Sequence, residues 1–354
     1  MRKLAHIEKV ENIEPIKGAD RIVKISVLGW ECVAKKGEFE IGDECVFIEI
    51  DSKLPPFPEF EFMEHRRYRV KTAKFKKQIS QGLALPVSML EKYIGKNNKI
   101  GDDVTEKLKI VKHDPQAQKE NSEMITQSRN PLHKFLLRFK WYRKMFPQRK
   151  GGFPVYLCKT DEERIQNTPS KLRDKRLCYV TEKMDGQSVS FAYYKKNWYN
   201  RGDFVVCSRN IRLKRPNNTS YWTVAKKYDI ERKLKRFGNL CIQGEICGKG
   251  IQKNKYGFDG YKFFVFSVFD IELQRYISMH ALKYICRVLE LPTVPILNQT
   301  FTLPDTVAEL VEYSKGVSVF DKNVKREGVV IRATFDSHFS LKAINPEFLL
   351  KHDE

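Results

Sequence analysis

The first hundred or so residues of this 354-residue chain hold short β-branched runs with no helix-length amphipathic segment between them. Residues 21–36, RIVKISVLGWECVAKK, alternate apolar and polar side chains for part of their length. ECVFIEI follows the turn-like EIGD, and YRVKTAKFKKQISQGLALPV continues in the same manner. Strands that succeed one another through turns alone close into a small barrel or pack as a sandwich. Residues 1–112 are therefore expected to form a small all-β domain. A five-stranded OB-type barrel is the leading candidate, because such a barrel grips nucleic acid in a charged, aromatic-bearing groove.

Charge points the same way. The chain has 65 Lys and Arg against 44 Asp and Glu, a net +21. A protein this basic commonly meets a polyanion, with nucleic acid first among them; a solvated basic surface is the plainer alternative. Eight cysteines sit in apolar or strand-like runs with no C-x-x-C pair, so reduced thiols are expected rather than disulfides or zinc. The N-terminus, MRKLAHIEKVENIEP, has no apolar core of a signal peptide, and no stretch is long and apolar enough to span a bilayer. These features predict a soluble, cytoplasmic protein with no membrane partner; a monomer is expected.

Residues 113–150 differ in character. HDPQAQKENSEMITQSRNP reads as a polar linker, and PLHKFLLRFKWYRKMFPQRK mixes aromatic and basic residues. At helical spacing Leu132, Phe135, Leu136 and Phe139 share a face, which suits a docking helix with basic contacts to nucleic acid; a membrane-surface helix fits the same pattern. From 151 to 354 the pattern is mixed. CYVTEKMDGQSVSFAYY reads as strand, polar turn, strand. NLCIQGEICG, YKFFVFSVFDIE and REGVVIRAT read as further strands, and SMHALKYICRVLEL and TVAELVEYSKG as amphipathic helices. An α+β domain on antiparallel sheets is expected.

TEKMDG places Lys183 at a strand end. A lysine acts as a nucleophile only when its amine is at least partly deprotonated, and burial or cationic neighbours favour that form. Arg209, Lys325, Arg326 and Lys342 are the candidate neighbours. QGEICG sets Glu245 at a strand end, REGVVIR sets Glu327 before a β-branched strand, and HFSLKAIN puts Lys342 on the strand after it. Carboxylates gathered in this way suit Mg²⁺ or Mn²⁺, which prefer oxygen ligands, and the lysines suit phosphate oxygens. Each fragment alone is unremarkable. Glu327, beside Lys325 and Arg326, equally describes a surface ion pair, and Glu245 a solvent-facing strand residue. Their order along the chain is the signal.

In that order KMDG, SRN, QGEICG, YKFFVFSVFD, REGVVIR and FSLKAIN resemble the motifs of the covalent nucleotidyltransferases, the ATP-dependent ligases and mRNA capping enzymes. The fit is closest to RNA ligases of the phage RNA ligase 2 type. The N-terminal LGWECVAKKGEFEIGDECVFIEID and QISQGLALP are similar to the OB domain of Naegleria-type and Deinococcus-type RNA ligases. The resemblance implies an antiparallel-sheet, ATP-grasp-like ligase domain at 151–354, preceded by the OB-type barrel. It implies that Lys183 attacks the α-phosphorus of ATP to give a lysyl-AMP. AMP then passes to an RNA 5′-phosphate, and a 3′-hydroxyl attacks to seal the strand.

The same resemblance implies roles for the other residues. Asp185 meets ribose or the water shell of the metal, Glu245 and Glu327 serve ribose and metal, and Arg209 meets ribose or phosphate. Lys342 meets the α-phosphate. Gly186 and Arg164 belong to the nucleotide site, and Glu182 meets the adenine edge. Phe263 is expected to stack on adenine, with Phe264 open because strand register is not readable; either is equally a core residue. Lys71, Lys74, Lys76 and Lys77 are candidate RNA phosphate contacts, or a solvated basic face. The chain departs from the pattern at Ser340, where many relatives carry a second lysine, and at Ser267, where an Asp often follows Phe. It also ends soon after Lys342, so no C-terminal OB domain of the DNA-ligase or capping-enzyme kind is expected. The rival readings are a capping-type guanylyltransferase and a nucleic-acid-binding protein with a decayed site.

Overall fold

The computed structural model describes residues 3–113, 136, 139, 152–195, 202–214, 219–335 and 339–352. The fold is α+β on antiparallel sheets. In the N-terminal half β1 (Ala5–Pro15), β2 (Ile22–Val27), β3 (Trp30–Lys35), β4 (Glu44–Ile48) and β9 (Leu83–Pro86) form one sheet in the order β3-β2-β1-β4-β9. β5 (Ser52–Lys53), β6 (Arg69–Val70) and β10 (Val111–Lys112) form a second, and β7 (Ala73–Phe75) pairs with β8 (Gln78–Ser80).

β1 explains how the sheet curls. Ala5–Lys9 pair with β4, Val10–Pro15 pair with β2, and the register shifts between Val10 and Asn12. An irregularity of this kind bends a strand and lets one sheet wrap towards closure. On β3 the side chains of Trp30, Cys32 and Ala34 are buried while Glu31 and Lys35 are exposed, the alternation seen in the sequence. Trp30, Phe47, Ile7 and Ile25 lie in the resulting core.

This half is seated on the rest of the molecule. Trp30 Nε1 donates to Asn167 Oδ1 at 3.0 Å, and Arg164 donates to Asp51 at 3.0 Å. Gly29, in the β2–β3 turn, has no room for a side chain, since a Cβ there would stand 2.7 Å from Val307 and 3.0 Å from the Gln166 backbone.

Beyond residue 152 two sheets carry the fold. One has the order β17-β11-β18-β19, built from β11 (Cys178–Glu182), β17 (Ile296–Phe301), β18 (Gly328–Ala333) and β19 (Ser340–Ile344). The other is β13-β12-β14-β15-β16, built from β12 (Gln187–Tyr194), β13 (Asp203–Ser208), β14 (Leu240–Gly248), β15 (Tyr261–Asp270) and β16 (Arg275–Tyr276). The described residues include six α-helices of seven residues or more: α1 (Val87–Ile94), α2 (Ser220–Lys227), α3 (Ile230–Phe237), α4 (Met279–Val288), α5 (Val307–Ser314) and α6 (Pro346–His352).

α4 and α5 lie where periodicity predicts them. α5 starts at a capping box in which Thr306 and Glu309 each satisfy the other's backbone amide. The sequence does not mark α1, α2, α3 or α6, and α1 adds a helix to the segment expected to be all-β; α2 and α3 pack Tyr221, Trp222, Ile230 and Leu234 onto the five-stranded sheet. All eight cysteines are free thiols, seven of them buried. No described helix is long and apolar enough to cross a membrane. Of the helix expected between 132 and 139, only Leu136 and Phe139 fall among the described residues.

Candidate active site

Lys183-Met184-Asp185-Gly186 is the link between the two sheets: β11 ends at Glu182 in one and β12 begins at Gln187 in the other. Strand pairing then fixes its neighbours. β11 runs beside β18 with Glu182 opposite Val329, and the Lys183 amide donates to the Gly328 carbonyl at 3.0 Å. Glu327 therefore stands next to Lys183, and the Lys183 ammonium donates to Glu327 Oε1 at 2.6 Å. On the other sheet Glu245 of β14 lies opposite Ser188. Gly186 lets the link press against this strand, since a Cβ there would sit 2.5 Å from the Ile246 carbonyl and 2.8 Å from Glu245. Neither neighbour is a flexible chain end, so any side chain at 186 would displace the link.

The sheets part around a cavity of about 1280 Å³. Nine residues singled out in the sequence line it: Arg164, Glu182, Lys183, Asp185, Gly186, Arg209, Glu245, Glu327 and Lys342. They come from positions as far apart as 164 and 342. The N-terminal half contributes His6, Glu49 and Asp51 to the same wall. His6 contacts Glu8 at 2.7 Å and Glu49 at 3.5 Å; burial opposes its charge, yet these two acids raise its pKa to about 9.

The charge balance differs from the sequence expectation. Cationic neighbours were expected to depress Lys183. Burial does act in that direction, but Glu327, Glu245 and Asp185 outweigh it and raise the Lys183 pKa. Of the expected neighbours, Arg209 pairs with Asp161 at 2.9 Å and Lys325 pairs with Glu347. Arg326 turns away to the Tyr313, Ser314 and Lys315 carbonyls. The depressed lysine is Lys342. Burial, with Arg164 and Lys183 nearby, brings it down to about 8 against the pull of Asp161 at 3.3 Å.

The acids are held in complementary states. Burial, together with Glu327 and Asp185, pushes Glu245 up to about 8, against the opposing pull of Lys183. Burial also raises Glu327 and Glu182. Burial works against ionised Asp161, but Lys342 and Arg209 overcome it and hold its pKa at about 2. Glu182 Oε2 accepts the Val319 amide at 2.9 Å, while its Oε1 and Glu327 Oε2 are buried without a hydrogen-bond donor. Among the described residues no three His, Cys, Asp or Glu side chains are grouped to hold a metal unaided. Asp185, expected at ribose or the water shell of a metal, is paired with Lys255.

The aromatic assignment needs correction. Phe263 is wholly buried, edge-on to Phe191 at 5.2 Å, in the core beneath the helices of the five-stranded sheet. It does not reach the cavity. Phe264 faces the other way but is packed among Phe258 and Phe320. Phe266 is the β15 phenylalanine that lines the cavity, with the Arg332 guanidinium 5.5 Å from its ring centroid. Ser267 is buried and donates to Gln243 Oε1 at 3.0 Å, a contact within the sheet. Ser340 lies on β19 opposite Arg332, outside the cavity wall, and its carbonyl accepts from Lys171.

Four residues at the site escaped the sequence reading. Asp161 joins Lys342 and Arg209, and Glu162 pairs with Arg332. The acidic run TDEE before Arg164 was the available signal for both. Lys255 binds Asp185 and lies 4.1 Å from the Phe348 ring centroid of α6, and Tyr256 OH accepts the Asp185 amide at 2.8 Å. Nothing in their local pattern marks these two. Lys74, Lys76 and Lys77 are exposed on the β7–β8 hairpin, and Lys71 is half-buried just before it; none lines the cavity.

Comparison with known proteins follows this geometry. A family model described as RNA ligase matches residues 176–344, and an OB-fold domain model matches residues 4–87. Among solved structures, a variant of Naegleria gruberi RNA ligase with AMP and Mn is 31% identical, with a TM-score of 0.82 and 99% of each chain covered. Another variant with ATP and Mn is 32% identical at the same TM-score, with 100% of each chain covered. The same protein with PPi is 32% identical at a TM-score of 0.82, covering 100% of this chain and 99% of that one. Among curated protein sequences none matches significantly.

Proposed function

The chain belongs to the RNA ligase family, and from that premise we infer that it uses ATP to join RNA 3′-hydroxyl ends to 5′-phosphate ends in nick sealing and RNA repair. The observation that carries this reading is Lys183 Nζ, held 2.6 Å from Glu327 Oε1 on the link between two sheets, inside a cavity that also gathers Lys342, Arg209 and Arg164. Residues 1–112 are taken as the OB-type RNA-binding domain, 113–150 as a linker with a basic insertion, and 151–354 as the adenylyltransferase domain. The AMP, ATP and Mn complexes named for the Naegleria ligase support ATP and a divalent metal here.

In the first step Lys183 Nζ attacks the α-phosphorus of ATP. The new N–P bond replaces the bond to pyrophosphate, which departs. Lys183 must shed a proton to do this, and Glu327 Oε1 lies at proton-transfer distance. Lys342, Arg164 and Arg209 meet the phosphates and offset charge that builds in the transition state. AMP then passes to the RNA 5′-phosphate, and attack by the 3′-hydroxyl seals the strand and releases AMP.

Glu182 Oε1, buried without a donor, suits the amino group of adenine, and Phe266 offers its face to the base. The site fits a divalent cation as well. Glu327 Oε2 lacks a donor and Glu245 is pushed up to about 8, so the pocket has an excess of buried carboxylate. Mg²⁺ commonly takes one or two carboxylates and completes its shell with substrate phosphates and water, so no protein-only cage is required. Glu245 and Glu327 would hold the ion, with Asp185 reaching its water shell. When bound, the metal draws charge from the α-phosphate.

Incubation with α-labelled ATP or GTP and Mg²⁺ or Mn²⁺, followed by a denaturing gel, tests the reading. Covalent label from ATP and little from GTP is expected. Label from GTP alone would indicate capping chemistry, and none from either would indicate a binding protein. A nick with an RNA 3′-hydroxyl end should seal better than one with a DNA end; equal sealing of an all-DNA nick would remove the RNA assignment.

Phe266 and Phe263 separate by different readouts. Phe266→Ala should raise the ATP concentration for half-maximal labelling roughly tenfold, the order of one aromatic stacking contact. Phe263→Ala should instead lower unfolding free energy by about 3–5 kcal/mol, as expected for a fully buried ring.

A further inference from the structure

The net charge of +21 is unevenly spread. Residues 195–262 carry 17 Lys and Arg against 5 Asp and Glu, a net +12. Residues 1–113 carry 22 against 18, a net +4. The basic excess thus falls in the part of the chain that carries β13, α2, α3 and β14 rather than in residues 1–113.

Within that stretch several lysines lie on segments that border one edge of the cavity. Ser220 and Tyr221 at the start of α2, Gly250 and Gln252 in the loop after β14, and Tyr261 at the start of β15 all line the cavity. Lys249, Lys253 and Lys262 are the chain neighbours of Gly250, Gln252 and Tyr261. α2 lies against the start of β15, where Lys227 donates to the Tyr261 carbonyl at 2.7 Å, and Lys226 is the residue before it. Lys226, Lys249, Lys253 and Lys262 are exposed, and among the described residues none of them forms an ion pair. Asp259 is the only acid from 246 to 269. Lys255, in the same loop, turns inward to Asp185.

Exposed lysines on segments that border one edge of the cavity raise the positive potential there, and a polyanion laid across that edge lowers it. Ammonium groups on flexible stems contact phosphates as point charges without reading bases. We propose that the rim formed by Lys226, Lys249, Lys253 and Lys262 binds the phosphate backbone of the RNA strand whose end enters the cavity. α3 continues the surface outward: Lys235 and Arg236 are exposed one turn beyond Glu231 and Arg232. The inference rests on the ligase reading for the identity of the polyanion as RNA.

The test is a four-fold Lys→Gln variant of the full chain at 226, 249, 253 and 262, binding a nicked RNA duplex over a salt series without ATP. Each phosphate contact contributes about 0.9 to the slope of log K against log salt. The slope is therefore expected to fall by about three to four, and affinity at low salt to drop about a hundredfold. Covalent labelling by ATP without RNA should stay within about twofold, since none of the four lines the cavity. A matching Lys→Arg set keeps the charge and should keep the slope. Unchanged slope and affinity in the Gln variant would overturn the proposal. So would equal loss in the Arg variant, which would trace the effect to packing. Failure of the parent chain to take label from ATP would instead count against the ligase reading, because the binding series is scored separately.

Discussion

Lys183→Arg is expected to fold normally and take no label from ATP. Arginine retains a cation at the centre of Glu327, Glu245 and Asp185, so the buried carboxylates keep a counter-charge. Its guanidinium, however, stays protonated and offers no amine lone pair to phosphorus. Loss of a covalent nucleophile costs at least about a thousandfold in rate, which brings label below detection on a gel. Thermal unfolding within about 2 °C of the parent checks the fold, since roughly 1 kcal/mol shifts Tm by about 2–4 °C in chains of 150–250 residues and by less in a longer one. Lys183→Ala removes label too, but it leaves the carboxylate cluster without its cation and changes stability as well. Undiminished labelling of Lys183→Arg would mean that the adenylate forms on another side chain. Lys342, held at about 8, would then be the first suspect.

The parts of this fold that sequence reveals are those with a short-range rule behind them. β3 alternates because one of its faces is wet, and TEKMDG is polar because it bridges two sheets. β15 obeys no such rule. In YKFFVFSVFD the buried positions fall on both faces, so alternation cannot say which phenylalanine faces the cavity. The register shift between Gln243 and Gly244 on β14 adds a further break. That is why Phe263 was expected at adenine and Phe266 was not.

The charge environment of Lys183 misled for a related reason. Lys325 and Arg326 adjoin Glu327 in the chain but leave the cavity, one for Glu347 and the other for backbone carbonyls. The acids, which are remote in sequence, arrive through strand pairing. Lys255 and Tyr256 position Asp185 from about 70 residues away along the chain, a contact that only the tertiary fold creates.

Lys342→Met should trade activity for stability, and the trade should depend on pH. Lys342 is largely buried, with its side chain 16% exposed, and its pKa falls from 10.5 to about 8. The folded state therefore binds its proton less tightly than the unfolded chain does. Below pH 8 both states are protonated and the burial cost is present in full. Between pH 8 and 10.5 the unfolded chain binds more protons, so parent stability from this group rises with pH. At about 1.4 kcal/mol per pKa unit, the cost near pH 7 is on the order of 3 kcal/mol. Methionine fills similar volume without charge, and Asp161 keeps Arg209 at 2.9 Å. Urea unfolding at pH 7 should show the variant more stable by about 1–3 kcal/mol, with the gap closing towards pH 10.5. Labelling by ATP should meanwhile fall at least about a hundredfold, as for loss of a donor that stabilises transition-state charge. A variant less stable than the parent at pH 7, with no change in the gap on raising the pH, would mean that Lys342 contributes to the fold rather than burdening it.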